Sequence, residues 1–206
     1  WPDAVRVSVN VSAAQFGNLG FLSVVAQALS HAGLAPGRLE LELTESVFLG
    51  DKQAVEDMFA ALKVLGVRLA LDDFGTGYSS LSYLQRVPFD AIKIDKSFLA
   101  EIAQPDSRSA VIIAAIVGLA KALNMDTTAE GIEAHDELEA TRQLGVNQIQ
   151  GFIYAAALDG DQVNDHLQRG DWVIEPDACT ALPSDSAELL VQFNDAPSRH
   201  DALKVA

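Results

Sequence analysis

Val67-Arg68-Leu69-Ala70-Leu71-Asp72-Asp73-Phe74-Gly75-Thr76-Gly77-Tyr78-Ser79-Ser80 is a short apolar run that stops on two adjacent carboxylates and opens into a glycine-rich loop. A strand ending in two carboxylates is a poor way to fill a core and a good way to hold divalent cations against a phosphate. The pattern recurs outward from this stretch. Asn10, Glu42, Lys93, Glu130 and Gln150 are isolated polar residues at the ends of the other predicted strands.

Those strands are Val5 to Val9, Leu39 to Leu43, Val67 to Leu71, Ala91 to Ile94, Met125 to Ala129 and Val146 to Ile149. Between them run helical patterns. Leu19 to Ala32 is amphipathic, Asp51 is placed to cap a helix carrying Val55, Met58, Phe59, Leu62 and Leu65, and a stripe from Val111 to Leu123 follows Asp106 and Ser107. Asp136 to Leu144 reads as a further helix. Gly33, Gly66 and Gly145 each stand between a helix and the next strand, as left-handed helix ends require. Alternating strand and helix implies a parallel sheet, either an open doubly wound sheet or a (β/α) barrel. Polar residues at six successive strand ends favour the barrel, whose chemistry converges on its C-terminal rim, over a doubly wound sheet, whose chemistry sits at one switch point. The expected fold is therefore an incomplete TIM-like (β/α) barrel with about six strands.

The chain has 206 residues, long enough for one domain with a full core. We expect the barrel over residues 1–170. Residues 171–206 carry seven acids against two bases and three prolines, and are expected to form a loosely packed or partly disordered acidic tail. A net charge of −15 argues against a nucleic-acid polymer as partner, but not against a small phosphate ligand whose charge is met by metal ions. No apolar stretch reaches the roughly 20 residues of a membrane span, and no basic start with an apolar h-region opens the chain. The single cysteine, Cys179, excludes an internal disulfide and fits a reducing, cytoplasmic setting.

Each candidate residue also has a plain structural role. Asp72-Asp73 could be a turn with a capping carboxylate, Asn10 a helix cap, and Lys93 an outward surface lysine. Four carboxylates (Glu42, Asp72, Asp73, Glu130) crowding one barrel mouth cannot all ionise without cations, so a metal site is the better reading. Oxygen-only ligands point to Mg²⁺ or Mn²⁺. An inward Lys93, flanked by Ile92 and Ile94, would need acids nearby. Glu130, at its strand end, is favoured over Glu133 for the site. Glu45, three residues beyond Glu42, is better suited to anchoring a loop. Gly75-Thr76-Gly77 lacks a third glycine and is read as a mobile loop rather than a dinucleotide fingerprint.

Taken together, Val9-Asn10-Val11-Ser12 with Gln15-Phe16, Glu42-Leu43-Thr44-Glu45-Ser46, Leu71 to Ser82, Ile92-Lys93-Ile94-Asp95 with Ser97-Phe98, Ala129-Glu130-Gly131-Ile132-Glu133 and Gln150-Gly151-Phe152 resemble the EAL-type cyclic di-GMP phosphodiesterase domain of bacterial signalling proteins. The resemblance spans roughly residues 5 to 160. It implies two-metal hydrolysis of cyclic di-GMP to linear pGpG. It also implies that Asn10, Glu42 and Asp72 hold one cation and Asp72 and Asp73 the second, while Lys93 and Glu130 position the attacking water. Glu45 would steady the loop, Glu133 would support the site from behind, and Gln150 would approach the substrate. Two cations would neutralise the phosphate and clamp attacking and leaving oxygens in line.

Two departures shape the expectations. The glutamate-alanine-leucine strand of the family, with its metal-binding glutamate, should precede Val5 by several dozen residues, and Trp1 opens this sequence. Tyr154-Ala155-Ala156-Ala157-Leu158 replaces the usual small, basic and proline residues. Hydrolysis by this chain is therefore expected to be impaired unless another polypeptide supplies the strand. The alternatives are a cyclic di-GMP-binding module without turnover and a protein-interaction module. An open parallel edge predicts a homodimer or other self-association. Sensory or GGDEF-type domains are expected partners in the parent protein.

Overall fold

Alternation of Leu with Glu in Leu39-Glu40-Leu41-Glu42-Leu43 gives a strand one apolar and one charged face, and the whole sheet is organised by that contrast. The computed structural model describes residues 5–75, 81–154, 158–169, 190–193 and 203–205. Six strands, β1 (Arg6–Val11), β2 (Leu39–Thr44), β3 (Arg68–Asp72), β4 (Ala91–Ile94), β5 (Asp126–Glu130) and β6 (Gln148–Gln150), pair in chain order and in parallel. Helices α1 (Ala13–Phe16), α2 (Phe21–Ala32), α3 (Lys52–Leu65), α4 (Leu81–Leu84), α5 (Arg108–Ala122) and α6 (His135–Gln143) lie between them, and α7 (Gly160–Arg169) follows β6. Three 3₁₀ turns, Pro36–Arg38, Glu45–Leu49 and Lys96–Phe98, complete the crossovers.

The apolar face of the strands carries Leu41, Leu43, Leu69, Leu71, Ile92, Ile94 and Ala129, which join one core with Val55, Phe59 and Leu62 of α3 and Ile113, Ile116 and Val117 of α5. Phe59 anchors this layer, its ring 4.7 Å from Phe16 and 5.5 Å edge-on from Phe89. Asp51 caps α3 by accepting the Ala54 N–H at 2.9 Å, and Gly33, Gly66 and Gly145 adopt positive φ where the helices hand over to strands.

The sheet is curled, not flat. Glu42 on β2 and Glu130 on β5 are three strands apart, about 14 Å in a flat sheet, yet both touch the Lys93 ammonium on β4. Arg68 on β3 likewise reaches Asp126 on β5 past β4. Curling of this kind makes an incomplete barrel with the polar face inside, and it excludes the open doubly wound alternative.

Strand boundaries differ from expectation by one or two residues. The strands run through the polar end residues instead of stopping before them, because Asn10, Glu42, Asp72, Glu130 and Gln150 still pair in the ladder. Helix α7 carries too few apolar residues to be conspicuous. It buries Val163 and Leu167, and is started by Asp159 and Gln162, whose side chains accept from each other's backbone N–H at 2.9 Å. Within the segment expected to pack loosely, two short strands join the sheet. β7 (Leu190–Phe193) lies parallel to β1 and β8 (Leu203–Val205) antiparallel to β7, giving the order β6-β5-β4-β3-β2-β1-β7-β8. An exposed strand edge is a template for pairing, and β7 covers that of β1. The rest of the tail, the loop residues 76–80 and Ala155–Ala157 lie outside the described residues.

Candidate active site

Strand parity builds the inner face. Register aligns Ser8, Glu40 and Arg68 in one row and Asn10 with Glu42 in the row above. Lys93, Thr128 and Gln148 form a row on β4, β5 and β6, and Glu130 pairs with Gln150. The lower end is a polar lattice. Arg68 donates from Nε to Glu40 Oε2 at 3.0 Å and from Nη2 to Asp126 Oδ2 at 2.9 Å, and Ser8 Oγ donates to Glu40 Oε1 at 3.3 Å. Sequence reading passed over these groups. The signal was present in the same alternation that exposed Glu42, since Glu40 sits two residues before it on the same face.

The upper end holds the chemistry. Lys93 is 1% exposed, with Nζ 2.6 Å from Glu42 Oε2, in contact with Glu130 Oε1, and 3.8 Å from Asp72 Oδ1. Its orientation, open from the sequence, is inward. The cost of burying the ammonium is offset by three carboxylates from three different strands. Asp72 closes β3, and Asp73 follows in the left-handed region at φ 53°, donating its N–H to Asp72 Oδ1 at 3.0 Å. That turn brings the second carboxyl back towards the first. Asp72, Asp73 and Glu130 each present an oxygen such that all three lie within 4.8 Å of one another.

Charge is unbalanced here. Burial pushes the Glu130 carboxyl up to about 7; Lys93 opposes that push and Asp72 reinforces it. Asp73 is raised as well, by burial and by the neighbouring Asp72 and Asp95 carboxyls. Burial alone would lower Lys93, but Glu42, Glu130 and Asp72 outweigh it and hold the ammonium above its ordinary value. One buried cation thus faces Glu42, Asp72, Asp73 and Glu130. The surplus of negative oxygen atoms suits a hard divalent cation.

The remaining predicted residues are placed as follows. Asn10 is half-buried on β1 beside Glu42 in register. Gln150 ends β6 opposite Glu130, and its carbonyl accepts the Ile132 N–H at 3.1 Å. Glu45 opens the 3₁₀ turn Glu45–Leu49 and is half-buried, while the greater part of the loop it was expected to steady lies outside the described residues. Glu133 is exposed, its backbone N–H donating to Glu137 Oε2 at 3.0 Å, so Glu137 is the capping acid of α6. The structure gathers Glu42, Asp72, Asp73, Lys93 and Glu130 at one rim with Asn10 and Gln150 at its two sides. Among the described residues, no helix is long and apolar enough to cross a membrane.

Comparison with known proteins agrees with this fold. The EAL domain family model matches residues 1–157. MucR of Pseudomonas aeruginosa, a bifunctional diguanylate cyclase/cyclic di-GMP phosphodiesterase, is 41% identical over 158 residues, which cover 77% of this chain and 23% of MucR. The chain thus spans under a quarter of that relative's length. The solved phosphodiesterase of MucR in complex with cyclic di-GMP superposes with a TM-score of 0.72 at 41% identity, covering 77% of this chain and 70% of that one. The EAL domain of Mycobacterium smegmatis DcpA gives a TM-score of 0.75 at 35% identity, covering 80% of this chain and 74% of that one. A manganese and cyclic di-GMP complex of a Klebsiella pneumoniae protein gives 0.66 at 29% identity, covering 72% and 38%. With the family model spanning more than half of its residues and the same curled parallel sheet beneath its acidic rim, the chain belongs to the EAL domain family.

Proposed function

We propose that this rim hydrolyses a phosphodiester bond of cyclic di-GMP, giving linear pGpG, with two Mg²⁺ or Mn²⁺ ions as cofactors. The observation that carries the reading is the buried Lys93 ammonium held between Glu42 and Glu130, with Asp72 and Asp73 alongside. Asn10, Glu42 and Asp72 would hold one cation, and Asp72 with Asp73 the other. When bound, such ions neutralise phosphate charge and make water a stronger nucleophile. The chain's own residues supply the rest. Lys93 stays protonated at Nζ through neutral pH and orients the Glu42 and Glu130 carboxylates by direct contact. Glu130, with its carboxyl near 7, is suited to take a proton at Oε from an attacking water and to return it. Gln150, opposite Glu130 in register, would approach the substrate.

Retention of the acidic set together with Lys93 supports turnover over binding alone. We also propose that the parent protein carries further signalling domains, works on a cytoplasmic second messenger, and self-associates. The test is Mn²⁺-dependent cleavage of cyclic di-GMP by the full-length protein, alongside nucleotide binding in EDTA. Asp73→Asn is expected to lower the rate at least about a hundredfold, in line with loss of a stabilising group at a reacting phosphate. Turnover unchanged by that substitution refutes the metal role of Asp73, and binding without any Mn²⁺-dependent turnover refutes the enzyme.

A further inference from the structure

The 3₁₀ turn Lys96–Phe98 begins three residues after Lys93, and it touches the backbone that follows Asp73 and the backbone that follows Glu130. On one side is Gly75, two residues beyond Asp73, at φ 94°. A Cβ placed there would lie 2.9 Å from Phe98 Cζ and 3.3 Å from Phe98 Cε2, so the backbone of the Asp73 loop rests directly on the Phe98 ring. On the other side is Gly131, immediately after Glu130, at φ 73°. A Cβ there would lie 2.8 Å from Lys96 Cβ and 3.2 Å from Lys96 Cδ. Both glycines adopt a backbone conformation that other residues rarely take, and both are pressed against side chains of the same turn.

Hydrogen bonds define the turn itself. Asp95 Oδ1 accepts the Ser97 N–H at 3.0 Å, and the Asp95 and Lys96 carbonyls accept the Phe98 and Leu99 N–H groups at 3.0 and 2.9 Å. Leu99 is buried in the core and Phe98 is packed against it. The Asp73 loop is anchored to the same strand by the Phe74 N–H, which donates to the Lys93 carbonyl at 3.3 Å.

We infer that the turn Lys96–Phe98 is a spacer between the two loops, with Phe98 the positioning residue for Asp73 and Lys96 the stop for Glu130. A wedge of fixed width decides how close the Asp73 and Glu130 oxygens come. Under the function proposed above, Asp73 holds a cation and Glu130 handles the attacking water, and one oxygen of each lies within 4.8 Å of the other and of Asp72, so their spacing has to be set from outside the rim. The assignment rests on the metal-dependent reading above, and its test separates the two.

The experiment measures Mn²⁺ affinity of the full-length protein calorimetrically, together with the thermal midpoint in EDTA. Wild type is expected to bind Mn²⁺, and a wild type that takes up none overturns the functional reading and this inference with it. Phe98→Ala is expected to weaken Mn²⁺ binding about tenfold or more, the range seen when a supporting residue behind a metal site is removed. Phe98→Leu, which keeps bulk beneath Gly75, is expected to recover most of that affinity. Gly75→Ala, which pushes the loop off the ring, is expected to weaken binding as Phe98→Ala does. Wild-type binding with a Phe98→Ala affinity unchanged to within about threefold overturns the spacer alone. So does a Phe98→Leu that loses metal as fully as Phe98→Ala, because bulk at that place would then be irrelevant. If Phe98→Ala fails to melt cooperatively in EDTA, the Leu and Gly75 variants decide the matter by the same criteria.

Discussion

At the scale of single residues, Lys93 and Glu130 carry the sharpest expectations. Lys93 contacts Glu42, which is 1% exposed, so removing the ammonium strands carboxylate charge inside the half-barrel. Lys93→Met is expected to destabilise the metal-free fold by about 3–5 kcal/mol, the usual cost of breaking one side of a buried ion pair. Urea denaturation in EDTA measures it, and a loss below about 1 kcal/mol would show that water already solvates the cluster. Glu130 supplies a pH dependence. A carboxyl raised to about 7 binds its proton more tightly folded than unfolded. It therefore supports the fold below its ordinary value of 4.5, and that support is lost as pH rises towards 7. Lys93 is raised above 10.5, so its contribution is lost only at pH above that value and does not interfere. In EDTA the thermal midpoint of wild type is expected to fall between pH 5 and 8 more steeply than that of Glu130→Gln; parallel curves would contradict the raised carboxyl.

At the scale of elements, the rim depends on how the strand ends are tied to the loops beyond them. After β6 the chain at Gly151 passes against Ile132, where a Cβ would lie 2.1 Å from the Ile132 carbonyl oxygen and 2.4 Å from its nitrogen. The Ile132 N–H donates to the Gln150 carbonyl, and the Ile153 N–H donates to the Ile132 carbonyl, both at 3.1 Å. Backbone against backbone cannot give way as a flexible side chain does. Gly151→Ala is expected to break these bonds and cost at least about 2 kcal/mol, with Glu130 displaced from Lys93 as the strands part. Denaturant melts give the energy and the pH profile of the midpoint gives the displacement. A variant as stable as wild type would mean the β5–β6 junction tolerates separation.

At the scale of the whole molecule, the lower lattice holds the curl that brings the rim together. Arg68 on β3 binds the buried Glu40 on β2 and the half-exposed Asp126 on β5, spanning four adjacent strands with one side chain. Its partnership with Asp126 is worth little in solvent, whereas Glu40 has no comparable access to water. Arg68→Leu is therefore expected to cost about 3 kcal/mol through Glu40, and Asp126→Asn less than about 1 kcal/mol. Equal effects from the two, measured by urea denaturation at one ionic strength, would show that the network acts as a surface ion pair and does not hold the curl.

What the sequence determined by itself is the order of the six parallel strands with the longer helices between them, and which polar residues stand at the strand ends. Strand and helix alternation, the glycine helix ends and polar residues at six strand ends are all local patterns, set by side-chain period and backbone preference within a few residues. Asp72-Asp73 and its glycine loop were legible for the same reason. Only the tertiary structure decided that Lys93 faces inward, that Glu130 joins Asp72 and Asp73 and shares the ammonium with Glu42, and that Glu40, Arg68 and Asp126 form a second polar layer beneath. Those facts depend on which strands curl towards each other, and the β2 and β5 carboxylates that meet at Lys93 are separated by some 80 residues of chain whose local pattern is the same whether the sheet is flat or curved. The position of Phe98 and Lys96 between two glycines belongs to the same class, since close approach is a property of folded backbone and leaves in the sequence only two glycines and an ordinary aromatic.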